Sequence, residues 1–213
     1  MLVIDVYGDL ICPLCYLGSQ RLQKALNARK HVATRHRWRP FRLHPDVPEE
    51  GLDRDLYSVI RFGTMEKARQ VYAAIEDMAT RDGVQLNLSQ IRRLPNSLQA
   101  HCLILFAERF HCGPAAIQEV FAAYFGRGQD IGEIDVLLEV AARIGLDTAR
   151  TRSALEGNEE KENVLLAEAR SRQVNLQALP CCVFNERYAL AGVQDSLCYF
   201  PLLDLLPSDR LRS

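Results

Sequence analysis

The sequence has almost no charge imbalance: 26 lysines and arginines stand against 27 aspartates and glutamates, a formal net charge of −1. With neither sign in excess, nothing draws the chain as a whole toward nucleic acid or an anionic membrane. Long apolar runs are also missing, and none approaches the roughly 20 residues that span a bilayer. Internal repeats and low-complexity stretches are absent. The opening Met1-Leu-Val-Ile-Asp-Val-Tyr7 lacks the basic segment, long apolar stretch and small-residue cleavage site of an export signal. Asp5 inside that stretch and Gly8-Asp9 after it instead describe a buried first strand, so the expected location is cytoplasmic.

What remains is an ordinary globular composition, 48% hydrophobic and 25% charged over 213 residues. That length suits one large domain or a domain carrying a sizeable insertion. Seven cysteines is a high and odd count. In a reducing compartment permanent bridges are unfavoured. Cys102, Cys112 and Cys198 lie in or beside apolar helical patterns and read as small core residues.

Leu2 to Tyr7 predicts a strand, and Leu14, Leu17, Leu22, Ala25 and Leu26 then take helical spacing. Val32 to Phe41 returns to strand character until Pro40 and Pro45 break it. Helices are expected over 55–61 and 64–79, separated by Gly63, and again from Ser97, around Ile117–Tyr124 and over Ile134–Ile144. Asp147 and Asn158 are candidate N-caps of two more. No strand is evident between 46 and 172. Cys181–Phe184 and Tyr188–Leu190 then form a hairpin about Asn185-Glu186-Arg187, and Asp195 or Ser196 caps a last helix that Pro201 starts or kinks. The expected division is an α/β layer built from 1–45 and 173–213, with 46–172 as an all-helical insertion.

The chemistry gathers at Cys12-Pro13-Leu14-Cys15, where the first strand gives way to the first helix. The opening turn of a helix has unpaired N–H groups and partial positive charge, both of which favour a thiolate. Pro13 costs nothing there, because its missing N–H would have had no partner. Cys12 is the expected nucleophile, and Cys15, one turn on, the thiol that resolves a mixed disulfide. A structural zinc half-site or two incidental thiols are the alternatives. Zinc needs four ligands, and the other close pair, Cys181-Cys182, is adjacent in a strand with side chains on opposite faces.

Asp9-Leu-Ile-Cys12-Pro-Leu-Cys15-Tyr16-Leu-Gly18 resembles the opening of FrnE-like proteins, a branch of the DsbA family of thioredoxin-fold oxidoreductases. The resemblance continues through Trp38-Arg-Pro40-Phe41 with Leu43 and Pro45, Glu50-Gly51-Leu-Asp53, Arg61-Phe62-Gly63 and Pro95-Asn96-Ser97 with Ala100-His101. Ala123-Tyr124-Phe125 with Gly128-x-Asp130-Ile131, Leu179-Pro180, Val183-Phe184-Asn185 and Gly192-Val193-Gln194 complete it. It implies a DsbA-like fold, thiol–disulfide oxidoreductase or isomerase activity, and a cis peptide before Pro180 facing the cysteine pair. Pro13, Leu14, Leu179, Pro180, Asn96 and Gln194 become candidate substrate contacts, with no metal and no tightly bound cofactor. The implied partners are thiol- or disulfide-containing proteins or small molecules, and a homodimer is left open.

Two positions depart from the pattern. Leu14 stands where the family usually has Trp, and Ala178-Leu179-Pro180 replaces Gly-Val-Pro, followed by Cys181 and Cys182, read as core or as a third thiol near the site. Asn96 is a helix cap or a substrate contact, and His101 a core histidine or a site residue. Arg35, Arg37, Arg39 and Arg42 are expected on a solvated strand face and loop, and Asp9 either tunes Cys12 or caps the helix. The same branch holds glutathione-dependent 2-hydroxychromene-2-carboxylate isomerases and kappa-class glutathione transferases, which carry Ser where this chain has Cys12. That is the alternative reading, with glutathione as co-substrate and Gln194, Asp195 and Ser196 holding its carboxylate. A binding module walled by Tyr57, Phe62, Phe106 and Tyr124 is a third, although these aromatics read more simply as core.

Overall fold

The computed structural model describes residues 1–205. The strand β1 (Leu2–Gly8) is buried on both faces, which is why its sequence reads as an apolar run rather than an alternation. Helix α1 (Pro13–Ala28) follows it and leads to β2 (Thr34–Pro40), which lies parallel to β1 with Leu2 opposite Thr34 and Gly8 opposite Pro40. On its other side β1 pairs antiparallel with β5 (Cys181–Phe184), and β5 with β6 (Tyr188–Ala191), so the order is β2-β1-β5-β6. Asn185 and Glu186 turn the hairpin with φ of 48° and 58°, the left-handed pair that matches strand twist.

Between β2 and β5 run α2 (Arg54–Phe62), α3 (Met65–Asp82), α4 (Leu98–Glu108), α5 (Gly113–Phe121), α6 (Ile134–Arg143), α7 (Thr148–Glu156) and α8 (Glu159–Gln173). Caps start several of them: Asp53, Thr64 and Asp147 accept from backbone N–H groups of the first turn. α4 is apolar almost all round because it is enclosed by α5, α7, α8 and β2. The chain closes with a 3-10 turn, Ser196–Tyr199, and α9 (Phe200–Leu205). This is the expected α/β layer with helices inserted between β2 and β5. The last eight residues of the 173–213 segment lie outside the described residues.

Several local expectations need correction. The stretch from 46 to 172 does contain strands: β3 (Leu52–Asp53) and β4 (Arg93–Leu94) pair antiparallel. Two residues each is too short to leave a periodic signal. Asn158 makes no side-chain cap bond to α8. Of the two readings of Pro201, the helix start is the one realised, since it falls in the first turn of α9. Cys102 is core, but Cys112 is half-buried and Cys198 exposed. The arginine run is not simply solvated either. Arg37 and Arg39 clasp the buried Asp5 at 2.6 to 2.7 Å. Arg42, 7% exposed, is paired with Glu168 of α8 through its Nε at 2.9 Å and its backbone N–H at 3.1 Å. A sequence pattern shows a basic residue but not the acid that a distant helix brings to it.

Candidate active site

Cys12 is the N-cap of α1: its backbone is extended (φ −91°, ψ 114°), and its sulfur accepts from the Cys15 backbone N–H at 3.4 Å. A thiol here occupies the capping place usually taken by a hydroxyl or carboxylate. No acidic residue stands in the first turn to cancel the helix dipole. Pro13 opens the helix at N1, half-buried like Leu14 beside it. All seven cysteines are free, so the pair is present as a dithiol.

The two sulfurs have opposite tendencies. A hydrogen bond from the Cys15 thiol, helped by the backbone N–H groups of Cys15 and Leu14, outweighs burial and holds the Cys12 thiol below its ordinary pKa. Burial, and then the neighbouring Cys12 sulfur, push Cys15 well above the ordinary range. Cys12 keeps an opening of 7% whereas Cys15 has 1%. The first thiol thus gives up its proton more readily and is slightly open, while the second holds its proton and is covered.

Beneath the pair lies Asp9, fully buried at the end of β1. Its backbone carbonyl accepts from Cys12 N at 3.2 Å. Its carboxylate does not cap α1. It accepts from Leu43 N at 2.7 Å, lies 3.2 Å from His101 Nε2, and takes a further bond from Ser97. Burial pushes this carboxyl up, but the bonds from His101, Leu43 and Ser97 outweigh it and hold the group below the ordinary carboxylate range. His101, 0% exposed on α4, in turn accepts at Nδ1 from Trp38 Nε1 at 3.0 Å. It is therefore a satisfied core histidine and a neighbour of the site at once. The negative charge of Asp9 raises the pKa of both cysteines, opposing a second anion beside the first.

Pro180 immediately precedes β5, and its peptide bond to Leu179 is cis. Pro180 is buried while Leu179 is half-buried. The ring packs on Gly18, one turn beyond Cys15, so closely that a Cβ at Gly18 would lie 2.4 Å from Pro180 Cγ. Cys181 and Cys182 follow, each 2% exposed; Cys182 bonds with Tyr199, and burial pushes its thiol up to about 12. Cys181, opposite Tyr7 on β1, is also raised by burial.

The other candidates are less central. Asn96 donates to the Val47 carbonyl at 2.6 Å and accepts from Leu98 N at 3.0 Å, the capping geometry, and it sits next to Ser97, which touches Asp9. Gln194 turns back on its own loop, donating to the Ala191 carbonyl at 2.6 Å. Asp195 places its own carboxylate on Leu197 N at the start of the 3-10 turn, where an anionic ligand would otherwise have been received.

Three participants escaped the sequence reading, Ser97, the Leu43 N–H and His44, and a fourth, Tyr57, was expected there only as a pocket wall or core. The phenol of Tyr57 meets His44 Nε2 at 2.9 Å, and Tyr57 is near enough to Cys12 for a thiolate there to oppose its ionisation. No local pattern marks these residues. The loop after β2 brings Leu43 and His44, α2 brings Tyr57 and the start of α4 brings Ser97. Among the described residues, no three His, Cys, Asp or Glu side chains gather as a metal site, and no helix is long and apolar enough to cross a membrane.

Residues 3–197 match the DSBA-like thioredoxin domain. An uncharacterised Bacillus subtilis protein, YwbO, is 33% identical over 153 residues, 72% of this chain and 71% of its own. Among solved structures, a probable DsbA oxidoreductase from Streptomyces coelicolor superposes with a TM-score of 0.87 at 21% identity, covering 99% of this chain and 92% of its own. The cytosolic disulfide reductase DsbM from Pseudomonas aeruginosa, solved with GSH, gives 0.65 at 18% identity, covering 99% and 100%.

Proposed function

Because the chain belongs to the DsbA-like thioredoxin domain family, we propose that it exchanges disulfides through Cys12 and Cys15, with Cys12 as nucleophile and Cys15 as resolving thiol. The observation that carries this is the split between the two thiols, one lowered and slightly open, the other raised and enclosed.

The Cys12 thiolate attacks one sulfur of a substrate disulfide. A Cys12–substrate disulfide forms and the other substrate sulfur leaves as a thiolate. Cys15 loses its proton and attacks the Cys12 sulfur, giving the Cys12–Cys15 disulfide and a second substrate thiolate. Two electrons pass from enzyme to substrate, and the reverse sequence oxidises a dithiol. Cys15 acts second for an electrostatic reason: while Cys12 is an anion, both it and Asp9 oppose ionisation of Cys15. Once Cys12 is held in the mixed disulfide, the first of those charges has gone. Pro13, Leu14, Leu179 and Pro180 border this chemistry as substrate contacts, with Asn96 and Gln194 further out.

Glutathione serves in this reading as a small thiol co-substrate, supported by the GSH carried by the DsbM structure. A cytoplasmic setting fits seven unpaired cysteines. The test is insulin reduction with purified protein. Cys12→Ser is expected to abolish it, and Cys15→Ser to accumulate mixed disulfides visible on non-reducing gels. Turnover that survives Cys12→Ser would overturn the proposal. Glutathione-dependent isomerisation that survives Cys15→Ser would favour the isomerase reading instead.

A further inference from the structure

Away from the thiols, a cavity of about 480 Å³ opens between the start of α2, one face of α3 and the segment 88–92. Its size falls in the range of small-molecule sites. Arg54, Arg69 and Arg92 border it, and among the described residues none of the three forms an ion pair. Arg69 and Arg92 are exposed, but Arg54 is only 7% exposed, and its buried Nε has no hydrogen-bond partner. A buried guanidinium without a carboxylate is rare, because desolvation penalises an unpaired charge heavily.

Part of that deficit is met by aromatic rings. The guanidinium carbon of Arg54 lies 4.8 Å from the Tyr72 ring centroid and 5.6 Å from that of Tyr57. Stacking answers the faces of a guanidinium and leaves the Arg54 Nε–H unanswered. The acids nearby do not supply that edge. Asp53 is spent on Leu56 N at 2.9 Å and Glu76 on Leu88 N at 3.1 Å, while Asp55 is exposed. The remaining wall joins Met65, Ala73, Leu88 and Ile91 with Ser89 and with Ser58, whose hydroxyl is taken up by the Arg54 carbonyl and the Tyr72 phenol.

We propose that this cavity binds an aromatic monocarboxylate, with its carboxylate on Arg54 and its ring against Tyr72 and the apolar part of the wall. A planar carboxylate matches the guanidinium fork. A doubly charged phosphate would meet Asp53, Asp55 and Glu76 around the same rim, so a single negative charge on an apolar body suits the site better.

Calorimetric titration of the full chain with sodium benzoate tests this, with inorganic phosphate as the second arm. Saturable benzoate binding is expected, with phosphate weaker. Arg54→Met, which keeps the side-chain length and removes the charge, should weaken benzoate by at least about tenfold. Ala73 is exposed on α3, so Ala73→Trp fills the cavity without entering the core and should have the same effect with unchanged thermal melting. That second variant decides the matter if Arg54→Met does not fold. No saturable benzoate binding, or binding untouched by Ala73→Trp, would overturn the site. Phosphate binding more tightly than benzoate would overturn the ligand class.

Discussion

Gly18→Ala sets two magnitudes against each other at the point where the Pro180 turn meets α1. In a free helix the change stabilises by about 1 kcal/mol, because alanine has less backbone freedom to lose. Here the added Cβ would stand 2.4 Å from Pro180 Cγ and 3.5 Å from its Cβ and Cδ. Carbon pairs settle at about 3.5–4.0 Å, so the two elements must part by roughly 1 Å. Overpacking of that kind costs about 1–3 kcal/mol, and a proline ring can move its Cγ only by changing pucker. The clash is therefore expected to win, with a net loss of up to about 2 kcal/mol. For a chain of this size that lowers the midpoint of thermal unfolding by up to roughly 8 °C. The functional loss should be larger than the stability loss, because a shift of about 1 Å between reacting groups can reduce rate by about a hundredfold. Calorimetry and insulin-reduction kinetics read the two effects, with Gly126→Ala as the control. Gly126 has nothing within 4 Å of its Cβ position, so its substitution should be neutral or stabilising. If Gly18→Ala matches that control in both melting and rate, the close approach does not govern the site.

Asp9→Asn removes a charge that raises the Cys12 pKa, so the ultraviolet thiolate titration of Cys12 should move to lower pH. The Asp9 carboxyl is held below its ordinary 3.8 in the folded state, so its stabilising contribution is complete above about pH 3.8 and is lost as pH falls through the folded value. The stability gap between wild type and Asp9→Asn should therefore be widest near neutrality and close in acid, as read by denaturant melts across pH. Glu168→Ala strands the buried Arg42 and should cost about 3–5 kcal/mol. The double change Arg42→Met with Glu168→Leu should recover most of that loss in the same melts. Mass-mapped alkylation of the native protein at neutral pH should label Cys198 and Cys12 first. Cys102 and Cys182, whose thiols burial pushes up to about 12, carry about one thiolate per 10⁵ thiols at pH 7 and should react only on unfolding.

The parts legible in sequence were those whose signal is local. Cys12-x-x-Cys15 at a strand-to-helix junction, the cap at Asp147, and the Asn185-Glu186 turn each announce themselves within a few residues. What stayed hidden was set by partners far along the chain. Arg42 reads as a loop cation until Glu168, from α8, arrives beside it. Asn96 reads as a cap, and its hydrogen bonds have that form, yet its neighbour Ser97 is the residue that reaches Asp9. The pairing of β3 with β4 joins residues about forty apart through two positions each, below what any periodicity can register.

The Asp9 cluster shows why this division matters for function. Its members come from β1, β2, the loop after it and α4, so no window of sequence contains it. The split between the two thiols comes from the hydrogen bond between them and from burial, and the cluster adds to both sulfurs a charge that opposes ionisation. A Cys-x-x-Cys at any helix N-terminus lowers its first thiol by dipole and N–H donors alone. Adding a buried carboxylate whose charge is fixed by His101, Leu43 and Ser97 opposes the ionisation of both sulfurs. For Cys15 this adds to burial and to the Cys12 sulfur, which already raise it. The tendency is toward a single thiolate in the resting dithiol, with the second thiol held in reserve until the first has reacted. If Asp9→Asn left the ionisation of both thiols unchanged, the motif would be acting alone and the cluster would be packing only.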